Sequence, residues 1–284
     1  ARAGGQSLMA RQKRIALIND ITGFGRCSVT VQLPLISAMR VQACPLPTAI
    51  LSVHTGFANH YLDDYTERMR PYMENWAANA LEFDAILTGF LGSERQIEVV
   101  LECIARFKQR TTQLVVDPVM GDNGSLYSSY TPALCAKMRQ LLPQADVVTP
   151  NLTEACQLLG ADYPTGGLVT EDELARMAAA IAAMGPRTVI ITGLHADENV
   201  RTYLYADGCG RSFDNPKVGR DRSGAGDAFS AIIAAALVRG IPLAEGVPRA
   251  ADFIGHCLTY AEELDLPWNH GLPFEEFMGE LTEL

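Results

Sequence analysis

The run Asp221-Arg222-Ser223-Gly224-Ala225-Gly226-Asp227-Ala228-Phe229 passes from small residues directly into an apolar stretch that reads as a helix. The first N–H groups of a helix lack intrahelical partners and carry the positive end of its dipole. Small residues let an anion approach them closely. Gly224, Ala225 and Gly226 therefore form a candidate phosphate-binding turn, and Asp227 follows in the first helical turn. An acid at that place has a plain reading as a helix-start residue. It also has a chemical one, because beside a bound phosphate it can take the proton from an attacking hydroxyl. The turn alone leaves the two readings level.

Other chemistry-bearing residues come directly after short apolar runs. Asp20 follows one, and Thr88-Gly89, Asp117-Pro118, Thr149-Pro150-Asn151 and Thr192-Gly193 follow others. Asp117, Asn151 and Glu154 offer hard oxygens of the kind Mg²⁺ and its water shell prefer. Singly, such residues are ordinary turn formers and caps. If the runs are parallel strands of one sheet, all of them converge on one crevice beyond the strands' carboxyl ends. No Gly-x-x-x-x-Gly-Lys-Ser/Thr run occurs, which excludes a P-loop enzyme. Gly23-Phe24-Gly25-Arg26-Cys27-Ser28 lacks the third glycine of a dinucleotide fingerprint. Lys217, Arg220 and Arg222 precede the anion turn and are candidates to screen nucleotide phosphates.

The elements that must position these residues are legible from periodicity. Strands are expected at 14–18, 41–44, 48–51, 85–87, 114–116, 147–148 and 188–191, with an exposed antiparallel strand at 200–205. Helices are expected at 28–39, 63–80, 94–109, 131–141, 153–159, 170–184, 225–239 and 243–263. The alternation implies crossover units, and the fully apolar strands imply a mostly parallel central sheet with helices on both faces. The fold class is α/β, with one domain over 14–284. Residues 1–13 are set apart as a disordered start or cloning remnant, with Met9 as a candidate native start and no signal-peptide core.

Composition bounds the function. The chain has 284 residues, 48% hydrophobic and 20% charged, enough for a full globular core. A net charge of -10 argues against nucleic acid as a partner. Seven scattered cysteines without C-x-x-C spacing read as reduced thiols of a cytoplasmic protein, with Cys27 the one to watch because it follows a glycine-rich turn. No apolar run is long enough to span a membrane.

The Gly-x-Gly-Asp turn at 224–227 resembles the hallmark of the ribokinase-like superfamily. Asp117-Pro118-Val119-Met120-Gly121-Asp122 and Thr149-Pro150-Asn151-Leu152-Thr153-Glu154 resemble the paired motifs of its vitamin-kinase branch, which includes pyridoxal and hydroxymethylpyrimidine kinases. Leu46-Pro47-Thr48-Ala49-Ile50-Leu51-Ser52-Val53-His54-Thr55-Gly56-Phe57 is similar to the substrate segment of pyridoxal kinases, and Thr88-Gly89-Phe90 to a further motif of that group. The likeness extends over roughly residues 14–275, in family order.

The resemblance implies a ribokinase-like fold and ATP-dependent phosphorylation of the hydroxymethyl group of a vitamin B6 vitamer. It implies Asp227 as base with Gly224, Ala225 and Gly226 holding the developing charge. Asp20, Thr48, His54, Thr55 and Phe90 are implied on the substrate side. Asp117, Asp122, Asn151, Glu154, Thr192, Gly193 and Val218 are implied on the ATP side. Asp117 and Glu154 are implied to hold Mg²⁺, largely through water, and the habit of the family is a cytoplasmic homodimer. Many pyridoxal kinases carry serine where this chain has Asp20, which leaves the acceptor open between a B6 vitamer, hydroxymethylpyrimidine and a sugar. A non-catalytic vitamer or nucleotide carrier is the rival from another class, and a dehydrogenase the weakest alternative.

Overall fold

The computed structural model describes residues 11–283. β1 (Arg14–Phe24), α1 (Val29–Ala38) and β2 (Gln42–Val53) form the first crossover unit, and β3 (Leu62–Asp64) then turns back along β2. α2 (Thr66–Ala78), β4 (Ala85–Thr88), α3 (Glu94–Phe107) and β5 (Gln113–Val116) continue the winding. A small hairpin, β6 (Gly121–Asp122) with β7 (Ser125–Leu126), precedes α4 (Pro132–Met138), β8 (Val147–Val148), α5 (Leu152–Leu159) and α6 (Glu171–Ala182). β9 (Thr188–Ala196), β10 (Asn199–Ala206) and β11 (Cys209–Pro216) form a meander. α7 (Ala225–Arg239), α8 (Leu243–Glu263) and α9 (Met278–Leu281) close the chain.

The main sheet has nine strands in the order β11-β10-β9-β8-β5-β4-β1-β2-β3. All pairings from β9 through to β2 are parallel, and the outer ones are antiparallel. Each sheet face carries its own core: α2 to α6 cover one, and α1, α7, α8 and α9 the other. The expected mostly parallel sheet with helices on both faces is what forms. Chain order reverses between β1 and β4, so their carboxyl ends flank the topological switch point where such sheets bind ligands.

Several expected boundaries move, each for a physical reason. The two strands expected at 41–44 and 48–51 are one strand, β2. β2 accommodates Pro45 and Pro47 because β3 pairs only with Ala49–Leu51, so both prolines sit where β2 has a free edge. The helix expected from 63 begins at Thr66, because Leu62–Asp64 joins the sheet edge and the Asp64 carboxylate accepts the Thr66 N–H at 2.7 Å. β1 continues to Phe24 rather than ending at Ile18, through an irregularity in which β2 inserts an extra residue opposite Asp20. The separation expected for residues 1–13 ends earlier, since Arg11 and Lys13 both pair with Asp84; residues 1–10 and 284 lie outside the described residues. α7 and α8 have the expected bounds. Among the described residues, no helix is long and apolar enough to cross a membrane.

Candidate active site

α7 begins at the expected anion turn. Gly224 is its N-cap at φ 87°, and a Cβ there would run into the Arg26 carbonyl, so both the backbone angle and the close approach require glycine. The Ala225 N–H reaches the Arg222 carbonyl only at 3.4 Å, and the N–H groups of Gly226 and Asp227 have no hydrogen-bond partner among the described residues. Gly226 is exposed with open space around it. Among the described residues the Gly224 N–H has no hydrogen-bond partner either, so the unengaged donors of the turn are Gly224, Gly226 and Asp227.

Asp227 is held by both oxygens. Oδ1 accepts from Asn19 Nδ2 at 3.0 Å and Oδ2 from the Ser28 N–H at 2.7 Å. Ser28 reaches it from a left-handed backbone, φ 56° and ψ −138°, a conformation a serine adopts only under strain. Asp227 keeps part of its surface open, yet burial of its carboxylate pushes its pKa up to about 6, with the Asp20 charge adding and the two hydrogen bonds opposing.

Asn19 is the residue that the sequence reading missed. It is fully buried and uses every hydrogen-bonding site it has. Nδ2 donates to Asp227 and to Gln32 Oε1, while Oδ1 accepts from the Asp20 N–H at 2.9 Å and the Phe90 N–H at 2.8 Å. A Cβ on Gly89 would overlap this amide, which is why a glycine follows β4. The Gln32 amide reaches Ser230 Oγ at 3.4 Å, and Ser230 donates to the Asp227 carbonyl at 3.2 Å. Asparagine and glutamine inside two apolar segments were the available signal.

On the expected substrate side, Asp20 is buried and accepts the Thr22 hydroxyl at 2.6 Å; burial raises its pKa against the Ser28 and Thr22 hydroxyls. Thr48 lies in the inserted stretch of β2, fully buried, and its hydroxyl donates to the Phe90 carbonyl at 2.9 Å. It holds the Phe90 loop rather than facing open space. His54 has both ring nitrogens engaged: the Asn269 carbonyl lies 2.8 Å from Nε2, and the Gly56 N–H donates to Nδ1 at 3.0 Å, which fixes the tautomer with Nε2 protonated. Thr55 is exposed in the turn that follows. Phe90 is half-buried, edge-on to Tyr130 at 6.0 Å. Cys27 is inert: burial, Asp227 and Asp20 push its thiol up to about 12.

On the expected nucleotide side, Asp117 follows β5 and is buried, its pKa pushed to about 8 by burial and then by Asp227, with the Ser230 hydroxyl opposing. Glu154 is raised well above the usual carboxylate range by burial and then by Asp117. Asn151 and Glu154 form a capping box on α5: Glu154 Oε2 accepts the Asn151 N–H at 2.9 Å and Oε1 the Met120 N–H at 3.1 Å. Asn151 also donates to the Gly121 carbonyl at 2.8 Å. Asp122, on the small hairpin, accepts the Asn123 N–H at 2.8 Å and is raised by burial. Thr192 and Gly193 fall where the β9–β10 register shifts, with Thr192 bridged to Asn151 and Gly193 exposed at φ 67°. Val218 is half-buried on the loop after β11. Lys217 and Arg220 are exposed on that loop, but Arg222 is not free for phosphates: it is buried, paired with Glu262 at 3.1 Å and donating to the Pro267 carbonyl.

The structure thus brings four acids into a row at the carboxyl end of the sheet, Asp20 acting on Asp227, Asp227 on Asp117 and Asp117 on Glu154, with Asn19 bonded to Asp227 and to the Asp20 N–H. Among the described residues, no group of three or more His, Cys, Asp or Glu side chains could hold a metal ion by itself. Two neighbouring buried carboxylates, Asp117 raising Glu154, fit a divalent cation that keeps much of its water shell.

The family model described as phosphomethylpyrimidine kinase matches residues 31–271. The chain belongs to that family. It is a kinase of the vitamin-kinase group on a ribokinase-like fold. A hydroxymethylpyrimidine/phosphomethylpyrimidine kinase of Rhizobium meliloti is 30% identical over 87% of this chain and 91% of its own. A Bacteroides thetaiotaomicron protein, solved as a putative phosphomethylpyrimidine kinase with pyridoxal, is 34% identical with a TM-score of 0.89, over 96% of both chains. Pyridoxal kinase from Lactobacillus plantarum superposes with a TM-score of 0.87 at 27% identity, over 95% of this chain and 97% of that one. The chain spans about half the length, 47%, of the bifunctional thiamine biosynthetic enzyme of Arabidopsis thaliana, to which it is 31% identical over 88% of itself. The family match begins after β1, so Asn19, Asp20 and Ser28 rest on geometry alone.

Proposed function

We propose that this chain transfers the γ-phosphoryl group of ATP to the hydroxymethyl group of a vitamin B6 vitamer: pyridoxal, pyridoxine or pyridoxamine. The observation that carries the chemistry is the seat of Asp227, gripped through both oxygens in the first turn of a helix whose leading N–H groups, at Gly224, Gly226 and Asp227, are unengaged. A carboxylate at about 6 is mostly ionised at neutral pH, yet more basic than an ordinary aspartate. It takes the proton of the attacking hydroxyl while the unengaged N–H groups of the run from Gly224 to Asp227 hold the charge that grows on the phosphoryl oxygens. Asp117 and Glu154 are the residues that would hold Mg²⁺ through water, and the ion would neutralise phosphate charge there.

The acceptor is a flat heteroaromatic ring in this reading. Phe24 and Phe57 lie edge-on at 5.8 Å, within a few residues of Ser28 and His54, and supply apolar surface for one. The Bacteroides relative was solved with pyridoxal, which favours the B6 reading. Hydroxymethylpyrimidine is the second reading, favoured by the family match and the Rhizobium relative. Both acceptors present a hydroxymethyl group on a nitrogen ring, so the same base serves either. Initial rates on pyridoxal, pyridoxine, pyridoxamine, hydroxymethylpyrimidine and ribose, with ATP and Mg²⁺, test the proposal. A B6 vitamer should give the highest kcat/KM. Hydroxymethylpyrimidine ahead of all three would establish the second reading, ribose ahead would refute both, and no ATP turnover would leave a carrier.

A further inference from the structure

The loops that meet at the candidate site share an anchor elsewhere in the chain. Residues 267–271, which include the turn Trp268–His270, present three backbone carbonyls to side chains from three different loops. Pro267 O accepts from Arg222 Nη1 of the anion loop at 3.0 Å. Asn269 O accepts from His54 Nε2, just beyond β2, at 2.8 Å. His270 O accepts from Arg26 Nη1 of the turn after β1 at 3.2 Å. Arg26 is further pinned by Glu275 at 2.7 Å, and the Arg222 side chain is only 3% exposed. A short strap fastened at three points, each on a different site loop, sits in a fixed place relative to all of them.

That place puts two rings of the strap into an aromatic cluster. His270 lies edge-on to Phe24 at 5.1 Å and stacks near Phe57 at 6.5 Å with 24° between planes. Trp268 lies 6.2 Å from His54 and against Gly56, where a Cβ would have only 2.8 Å to the indole. Phe24 and Trp268 nevertheless stay 47% exposed. Large aromatic surface left open beside a site is a place for a ligand with a face of its own.

We propose that this strap is the outer wall of the acceptor pocket, with Trp268 and His270 packing on the flat face of a heteroaromatic acceptor and so favouring it over a sugar. The inference rests on the kinase reading above and adds the residues that choose the acceptor. Stacked or edge-on rings 4.5–7 Å apart attract beyond their area burial, which a sugar ring does not match.

The test uses the full chain with pyridoxine and ATP. Trp268→Ala and His270→Ala should each raise the pyridoxine KM by about 3- to 10-fold, the size of one lost aromatic contact, with the ATP KM unchanged. Trp268→Phe should recover most of the loss. Pyridoxine KM unmoved in folded Trp268→Ala, or both KM values rising together, would overturn the proposal in favour of a merely structural strap. A second readout is independent of turnover. The chain has two tryptophans, and Trp76 packs between Phe83 and Phe107 in the core, so Trp76→Phe leaves Trp268 as the reporter. Saturating pyridoxine or hydroxymethylpyrimidine should quench or shift its emission, and unchanged emission would count against the wall. If the wild type phosphorylates no hydroxymethyl heteroarene, the kinase reading fails, while the titration still decides the strap.

Discussion

Asn19→Asp isolates what holds the base. The two side chains are isosteric, and Oδ1 can go on accepting from the Asp20 and Phe90 N–H groups. What is lost is the N–H₂ that donates to Asp227 at 3.0 Å and to Gln32 Oε1, whose amide can turn to offer its own N–H instead. A hydrogen bond to a charged group is worth about 1.5–3 kcal/mol, against about 0.5–1.5 for a neutral one. The donor therefore favours the ionised form of Asp227 by about 1–1.5 kcal/mol, close to one pKa unit. Its removal should carry the acid limb of kcat/KM, which reports the free enzyme, from about 6 to about 7, and any negative charge on the new residue carries it further the same way. At pH 6.5 the variant should run about threefold slower for this reason alone, and near pH 8.5 the difference should close. A full pH–rate profile with melting curves is the assay. A folded variant whose profile keeps the wild-type acid limb, or is lowered evenly at every pH, would refute the claim that Asn19 tunes Asp227.

Three further outcomes are expected. Glu154→Gln removes the carboxylate that burial and then Asp117 raise, and its magnesium titration should shift to higher concentration, while a titration identical to wild type would remove Glu154 from the metal's surroundings. Asp20→Ser should change the ranking of acceptors with little change in the ATP KM, since Asp20 sits at the irregularity of β1 beside Ser28, and the reverse pattern would place it on the nucleotide side. Asp117 and Asp227 are both raised, so the folded state favours their protonated forms; the stability this contributes is complete below about 4 and is lost as pH rises through about 6 to 8. Melting temperature without metal or nucleotide should therefore fall across that window, and a rise there would contradict the sign.

How much was legible beforehand depended on whether a signal is local. The bounds of α7 and α8 are readable because caps and breakers flank long apolar runs: Gly224 before α7, Gly240 after it, and Pro242 before α8. The Asp227 turn and the strand-end acids stood out because parallel sheets put function at carboxyl ends. β11 and the β6–β7 hairpin were passed over although each announces itself. Asp207-Gly208 and Asn123-Gly124 both have two consecutive positive φ values, the pattern of a two-residue type I′ hairpin turn. Their strands were too short or too polar to register as apolar runs. Asn19 could not be assigned from sequence, since its partners at 32, 90 and 227 are distant in the chain and it looks like a turn former next to Asp20. The strap at 267–271 was silent for the same reason: its anchors are backbone carbonyls, which carry no sequence signal.

The central claim is that Asp227 removes the acceptor's proton, and Asp227→Asn tests it most directly. The substitution keeps the size of the side chain and its place in the first turn of α7. It places an amide N–H₂ against either the Asn19 donor or the Ser28 N–H, a modest structural cost, and abolishes basicity. General-base catalysis is worth roughly 10²- to 10⁴-fold. Measured beside melting curves taken with and without ATP, the variant should fold, remain stabilised by ATP, and lose turnover by about that factor. A folded, ATP-stabilised Asp227→Asn protein that turns over within a few-fold of wild type would contradict the account.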